Sequence, residues 1–467
     1  MHLARLVSVL AGLLLVLATY GLGRELWPAR PEIALAGAAF VAFLPESLFV
    51  GGAVTNDMLA AALAAAALWW AAAGRSWPAA LAVGVALGLG FLTKASAIAV
   101  WPAAGLTLLL VDGWRVQQPS RRLGRFILTA VIATVIAAPW LWRNWTLYGD
   151  PLGAPVVLGT IDRRTTPLDL AWLARGWFLS FWGKFGGAGH IPLPWPLYVL
   201  WGIIVAGAVA GGALRLGRRE RGAHGDYAPK LAPDSVSESS GTSVANRNAV
   251  RWIVLAGAPL LVALSMLSYS QVALGTDQGR LLFPALAPIG LLVAAGLAAW
   301  LPPRRACWLA PALAGVMLLV ALLALQFGVR QPFAPPLAAA AEVAAAAPVQ
   351  VAVGPLELVA AAWQPDSGAL TLYWRAEQPV EDDLRVILRA YGADGAMLWE
   401  WKRSPGAGRY STDRWRGGQV IRDAYRIPAE ALAALARAEA TVYAFPDETP
   451  LGRADLPLPG AARAAGR

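Results

Sequence analysis

Residues 277–300 read DQGRLLFPALAPIGLLVAAGLAAW, a charged mouth followed by an apolar run without a single ionisable side chain. The run over 282–300 approaches the ~20 residues that cross a hydrocarbon core as a helix. Its charges stand at one end because an ionised group at the bilayer centre costs on the order of 3 kcal/mol on insertion scales. Working outward, the same pattern recurs at 3–23, 32–50, 57–73, 78–92, 96–112, 124–142, 195–214, 251–269 and 307–327. The expected fold is an all-α polytopic membrane bundle of about ten transmembrane helices.

Composition agrees. Of 467 residues, 57% are hydrophobic and 15% charged, against roughly 25% charged in soluble domains, and the mean hydropathy is +0.52. The net charge of +10 resides in arginines of short loops, where it orients helices and forms no nucleic-acid face, so no nucleic-acid partner is expected. Arg24, Arg30, Arg75, the group Arg115, Arg121, Arg122 and Arg125, the stretch 215–251, and Arg304 with Arg305 fall on one side. The positive-inside rule makes that side cytoplasmic. Residues 46–57, Lys94, 143–194, 270–280 and the C-terminal region then lie outside, and so does residue 1. The chain therefore reads as if an initiating helix were missing. Residues 3–23 lack a small-residue cleavage site and are read as a retained span rather than a signal peptide. Cys307, the single cysteine, excludes an intramolecular disulfide and is read as a buried thiol.

The expected membrane domain occupies residues 1–330, interrupted at 222–249 by a Gly-, Ser- and Pro-rich stretch read as a disordered cytoplasmic loop. Residues 331–348, rich in Ala and Pro, read as a linker. Beyond them the period changes to two, as in ALTLYWRA, DLRVILRAYG, AMLWEWKR and GQVIRDAYRI, so 349–460 is expected to be an extracytoplasmic all-β sandwich. For its Trp374, Trp399, Trp401 and Trp415, core packing is the default; an exposed coplanar pair would point instead to sugar stacking.

Candidate chemistry gathers on the expected outer side. In FVGGAVTNDMLAAAL, Asn56 and Asp57 stand at a helix mouth, as caps or as a water-facing carboxylate. Lys94, one of four lysines, interrupts GLGFLTKASAIAVW, and Lys184 lies in a large outer loop. Arg143 closes a span in APWLWRNWTLYGDPLG, where it reads as a snorkelling anchor or, with Lys94 and Arg280, as part of a shared anion site. Asp277 and Arg280 precede a span and suit a phosphate head group. The aromatic stretch WLARGWFLSFWGKFGGAGH reads as a helix lying in the interface, with His190 an ordinary loop residue. No metal signature is present.

The motifs PESLFVGGAVTNDMLA, GLGFLTKASA, PWLWRNWTLYGDPLG, SFWGKFGG and DQGRLLFPALAPI occur in that order. On them the chain, over about residues 1–330, resembles the GT-C class of multi-pass glycosyltransferases that use lipid-phosphate sugars. The similar branch includes protein mannosyltransferases, aminoarabinose transferases and an uncharacterised bacterial membrane-protein family. The resemblance implies a bacterial plasma-membrane enzyme that moves a sugar from a polyprenyl-phosphate donor to a cell-envelope glycan or lipid acceptor at the outer face, with membrane lipid as its surroundings. By that resemblance Lys94, Arg143 and Arg280 would serve the donor phosphate, and Asp277 and Lys184 join the candidate donor site by their place on the same side. Asp57 or Glu46 would act as the catalytic carboxylate. No organic cofactor is implied, and a divalent metal is left open. Members of the class begin one helix earlier, and the acidic pair of their first outer loop has no counterpart in this sequence. A non-catalytic protein binding carrier lipid or glycan is therefore the alternative. A transporter would require ionisable groups within the spans or paired repeats, and neither is seen.

Overall fold

Backbone N–H and C=O groups have no water to bond in lipid, so long apolar segments satisfy them internally as helices. The computed structural model describes residues 2–111, 119–186, 191–225, 248–406, 408–446 and 449–457. The chain divides into two compact units, Met1–Val329 and Arg330–Arg467.

In the first unit every stretch expected to span is helical. Six helices are long and apolar enough to cross a membrane: α1 (His2–Leu26), α7 (Pro119–Tyr148), α10 (Trp195–Gly225), α11 (Asn248–Ser270), α12 (Gly279–Trp300) and α13 (Pro303–Arg330). The pair α2 (Pro31–Phe43) and α3 (Pro45–Gly51), bent by 58°, is together long and apolar enough for a broken span or a re-entrant loop. Pro45 causes the break, because it holds Leu44 in an extended conformation and removes one backbone donor. The three remaining segments are shorter: α4 (Asp57–Ala73), α5 (Trp77–Thr93) and α6 (Trp101–Leu110), the last entered through a 3-10 turn over Ala95–Val100. Two more helices, α8 (Ala154–Thr160) and α9 (Leu170–Gly183), lie between α7 and the short strands β1 (Lys184–Phe185) and β2 (Ile191–Pro192).

Packing follows small residues. A side chain at Gly211 would strike the Gly296 carbonyl, and one at Gly296 would strike the backbone of Ala208, so α10 and α12 touch backbone to backbone. Trp300 Nε1 seals the contact by donating to the Gly207 carbonyl at 2.8 Å. Of the long helices α12 is the most enclosed, whereas α1 leaves Leu3, Leu6, Leu10, Leu14 and Leu17 exposed, an apolar face suited to lipid.

The second unit is a two-sheet all-β domain. Strands β3 (Ala347–Val353), β4 (Leu356–Gln364), β5 (Ala369–Arg375) and β8 (Val420–Arg426) form one antiparallel sheet in the order β3-β4-β5-β8. The other runs β10-β9-β6-β7, built from β6 (Leu384–Tyr391), β7 (Met397–Arg403), β9 (Arg437–Ala444) and β10 (Pro450–Asp455). Period-two alternation sends Leu370, Leu372 and Trp374 of β5 and Val386 and Leu388 of β6 into one shared core.

Several expectations are corrected. Cys307 is exposed, because the 3-10 turn Pro303–Trp308 that opens α13 turns it outward. The segment read as a linker is tied to β8: Ala338 N–H donates to the Val420 carbonyl, Arg422 N–H to the Pro336 carbonyl, and residues 340–345 form a helix. The expected loop over 222–249 is helical at both margins, in α10 and α11, and its remainder, 226–247, lies outside the described residues.

A buried polar group joins the two sheets. Arg403 Nη2 donates to Asp423 Oδ1 at 2.9 Å, and the Tyr425 hydroxyl donates to Asp423 Oδ2 at 2.6 Å. Burial, reinforced by the Asp423 charge, pushes the Tyr425 phenol well above its ordinary range. A folded pKa raised above the unfolded value of about 10 contributes stability that is fully present below that pH and is lost as pH rises beyond it. Thermal unfolding of the β unit should therefore weaken as pH rises above about 10, and Tyr425→Phe should flatten that slope. Identical alkaline slopes in the two proteins would count against it.

Candidate functional site

Helix mouths hold charges where apolar interiors do not, and here four such mouths converge. Asp57 opens α4, Lys94 ends α5, Lys184 follows α9, and Asp277 with Arg280 leads into α12. Lys94 Nζ lies 2.5 Å from Asp57 Oδ1, and Arg280 Nε lies 3.9 Å from Asp57 Oδ2. The Thr55 hydroxyl donates to Asp57 Oδ2 at 3.1 Å. Asp57 is thus a shared counter-charge holding two cations, with both oxygens engaged. Asn56, read as a helix cap, makes no side-chain cap bond; its amide donates to the Thr93 carbonyl at 2.8 Å and ties α4 to the end of α5.

Across the site, Lys184 Nζ stands 3.6 Å from Asp277 Oδ2, and Lys184 N–H donates to Glu46 Oε2 at 3.2 Å. Glu46, Lys184, Asp277, Gln278 and Arg280 line a shallow recess together with Ser180 and Gly186. Glu46 is nearly fully buried, and its Oε1 has no hydrogen-bond partner among the described residues. Arg280 Nε donates to Gln278 Oε1 at 2.8 Å, while its Nη1 and Nη2 bond to nothing among the described residues. A guanidinium braced on one edge and open on the other suits two hydrogen bonds to a pair of phosphate oxygens.

The segment 276–280 is held in place by α9. The Ser180 hydroxyl donates to the Asp277 carbonyl at 2.9 Å and accepts from Gly279 N–H at 2.5 Å, and Trp177 Nε1 donates to the Thr276 carbonyl at 2.8 Å. Such closeness needs glycine on both sides, since a side chain at Gly176 would strike Asp277 and one at Gly279 the backbone of Phe181. The last turn of α9, with Ser180, Phe181 and Trp182, is accordingly buried in the bundle, where the sequence suggested a helix lying in the interface. His190 lies outside the described residues.

Of the residues expected from sequence, the structure brings together Glu46, Asp57, Lys94, Lys184, Asp277 and Arg280. Arg143 stands apart from these ion pairs; it is exposed on the last turns of α7, and its Nη1 bonds to Asn144 Oδ1 at 3.4 Å. Its neighbourhood is nevertheless adjacent, because Phe91 of α5 meets Trp140 of α7 with ring centroids 5.6 Å apart. Thr55, Ser180 and Gln278 were missed. Each acts through a hydroxyl or amide aimed by tertiary packing, and the only trace in the sequence is proximity to a charged residue.

Residues 1–142 match the family model of the dolichyl-phosphate-mannose-protein mannosyltransferases. The resemblance to lipid-phosphate-sugar glycosyltransferases is supported over those residues. The match includes Glu46, Asp57 and Lys94 and ends one residue before Arg143. Among solved structures, ArnT from Cupriavidus metallidurans bound to undecaprenyl phosphate is similar at 18% identity and a TM-score of 0.38, over 72% of this chain and 52% of that one. The apo state of ArnT from the same organism is similar at 17% identity and a TM-score of 0.28, over 67% of this chain and 63% of that one. The chain thus spans about half the length of the undecaprenyl-phosphate-bound ArnT chain. No curated protein matches it.

Proposed function

We propose that this chain is a membrane glycosyltransferase that takes a polyprenyl-phosphate sugar into the recess beside Arg280 and transfers the sugar to a cell-envelope glycan or lipid at the outer face of a bacterial plasma membrane, with the β unit also outside. The observation that carries this reading is the open Nη edge of Arg280, flanked by Lys94 and Lys184 at the mouths of apolar helices. Three cations at such a boundary favour a phosphate whose lipid tail remains in the bilayer. The family match over residues 1–142 supports the same donor class.

In this reading the acceptor hydroxyl attacks the anomeric carbon, the bond from that carbon to the phosphate oxygen breaks, and the phosphate leaves with the electron pair. Lys94, Lys184 and Arg280 stabilise the charge gathering on it. The acceptor proton passes to Glu46, whose Oε1 is open, while Asp57 keeps Lys94 and Arg280 in place.

The test is transfer of labelled sugar from polyprenyl-phosphate donors in proteoliposomes, together with direct binding of polyprenyl phosphate. Arg280→Ala is expected to weaken that binding by about tenfold, as loss of a charge-assisted pair implies, and Arg280→Lys to restore it only in part. Unchanged affinity in folded Arg280→Ala would overturn the assignment. Because both oxygens of Asp57 are engaged, a second reading is a non-catalytic binder of the carrier lipid; binding without transfer by the wild-type chain would establish it.

A further inference from the structure

The edge strand β7 departs from the sandwich rule that apolar side chains face inward and are covered. Trp399 and Trp401 share one face of β7, and their partners across the ladder on β6, Ala390 and Leu388, continue that face toward the core; the register shifts before Met397. Trp399 packs against the core, but Trp401 is 48% exposed and Met397 58% exposed. The two indoles lie nearly parallel, with an interplanar angle of 13° and centroids 6.1 Å apart. Trp374 and Trp415, by contrast, are buried.

We propose that Trp399 and Trp401 form a carbohydrate-binding platform for successive rings of a neutral oligosaccharide. Sugar rings present patches of slightly positive C–H bonds flanked by hydroxyls, and these complement the negative faces of indole. Two parallel indoles a single residue apart on one strand, the outer one exposed, extend the aromatic surface along the strand, which suits a linear chain better than a single ring. Nearby charges are already neutralised: Glu400 pairs with Arg389 at 2.8 Å, and Arg403, next on the platform face, is bound to Asp423. A neutral ligand therefore fits better than a charged one. The platform is rigid, since Arg403 reaches the Asp423 carboxylate and the Ala424 carbonyl of β8 and lies over the Tyr425 ring at 4.2 Å, fixing the strand that carries both indoles. Rigid aromatic anchors lose little entropy on binding.

Two features argue against a protein occupant. Glu400 and Lys402 project from the other face of this edge strand, and the ladder to β6 is irregular at Ala390/Tyr391; both devices discourage pairing with another strand. Three side chains also make a small patch against the ~800 Å² per partner of a stable protein interface. The proposal does not depend on the transferase reading.

Binding of cellohexaose, maltohexaose and an α-linked mannohexaose to the full chain tests it, by calorimetry in a zwitterionic detergent, because a maltoside would itself carry sugar. At least one probe is expected to bind, Trp401→Ala to weaken it about tenfold, Trp401→Tyr to retain part of the affinity, and Lys94→Ala to leave it unchanged. No binding of any probe by the folded wild-type chain would overturn the platform, as would wild-type affinity in Trp401→Ala. A dimer that Trp401→Ala dissolves would also overturn it, by assigning the face to a second copy.

Discussion

Lys94→Ala is expected to reduce sugar transfer by about 100-fold, the scale seen when one preorganised charge donor is removed from a developing anion. Lys94 is the most fully engaged cation of the site, 20% exposed and 2.5 Å from Asp57. Its removal leaves Asp57 with Arg280 alone, 3.9 Å away, so the remaining guanidinium is drawn toward the carboxylate and away from a donor phosphate. Lys94→Arg is not conservative here, because a planar fork cannot occupy the place of a compact ammonium. If Asp57 acts only by holding the cations, Asp57→Asn in the Lys94→Ala background should add little, giving a non-additive cycle. Glu46→Gln separates positioning from proton transfer: donor affinity stays, while transfer falls. Full additivity of the Lys94 and Asp57 changes would sink the shared-counter-charge role. Undiminished transfer in Glu46→Gln would remove the proposed base.

Arg403→Ala is expected to destabilise the β unit by about 3 kcal/mol, the lower end of the range for removing one partner of a buried ion pair. The Asp423 side chain is 0% exposed and that of Arg403 20%. Without Arg403 the carboxylate keeps the Tyr425 hydroxyl but loses the Arg403 charge, and less of its desolvation cost is offset. Partial exposure of Arg403 and the remaining hydrogen bond place the effect at the lower end. For a domain of this size the thermal transition should fall by roughly ten degrees or more. Removing both charges with Arg403→Leu and Asp423→Leu should recover much of the loss, as apolar replacement of buried pairs often does. A shift of only a degree or two in Arg403→Ala would show that the pair is effectively solvated.

Apolar run length, charge placement and the change from unbroken runs to period two determine a helical membrane unit followed by a β unit. Each is a local property: about 20 uncharged residues have no stable form in lipid but a helix, and alternating residues such as those of LTLYWRA can bury only one face of a strand. Candidate charges were legible for the same reason, since Lys94 or Arg280 beside an apolar run has few places to be. Tertiary structure decided which of them meet. Asp57, Lys94 and Arg280 are separated by 37 and more residues, and their convergence depends on the break at Lys94 and on the approach of α9 to residues 276–280 through Gly176 and Gly279. It also decided that Arg143 stays outside the ion pairs, and that Trp374 and Trp415 are buried while Trp399 and Trp401 lie parallel on an edge strand with Trp401 exposed. Sequence dictates what each segment can bury; only the assembled packing determines which side chains are left over to face one another.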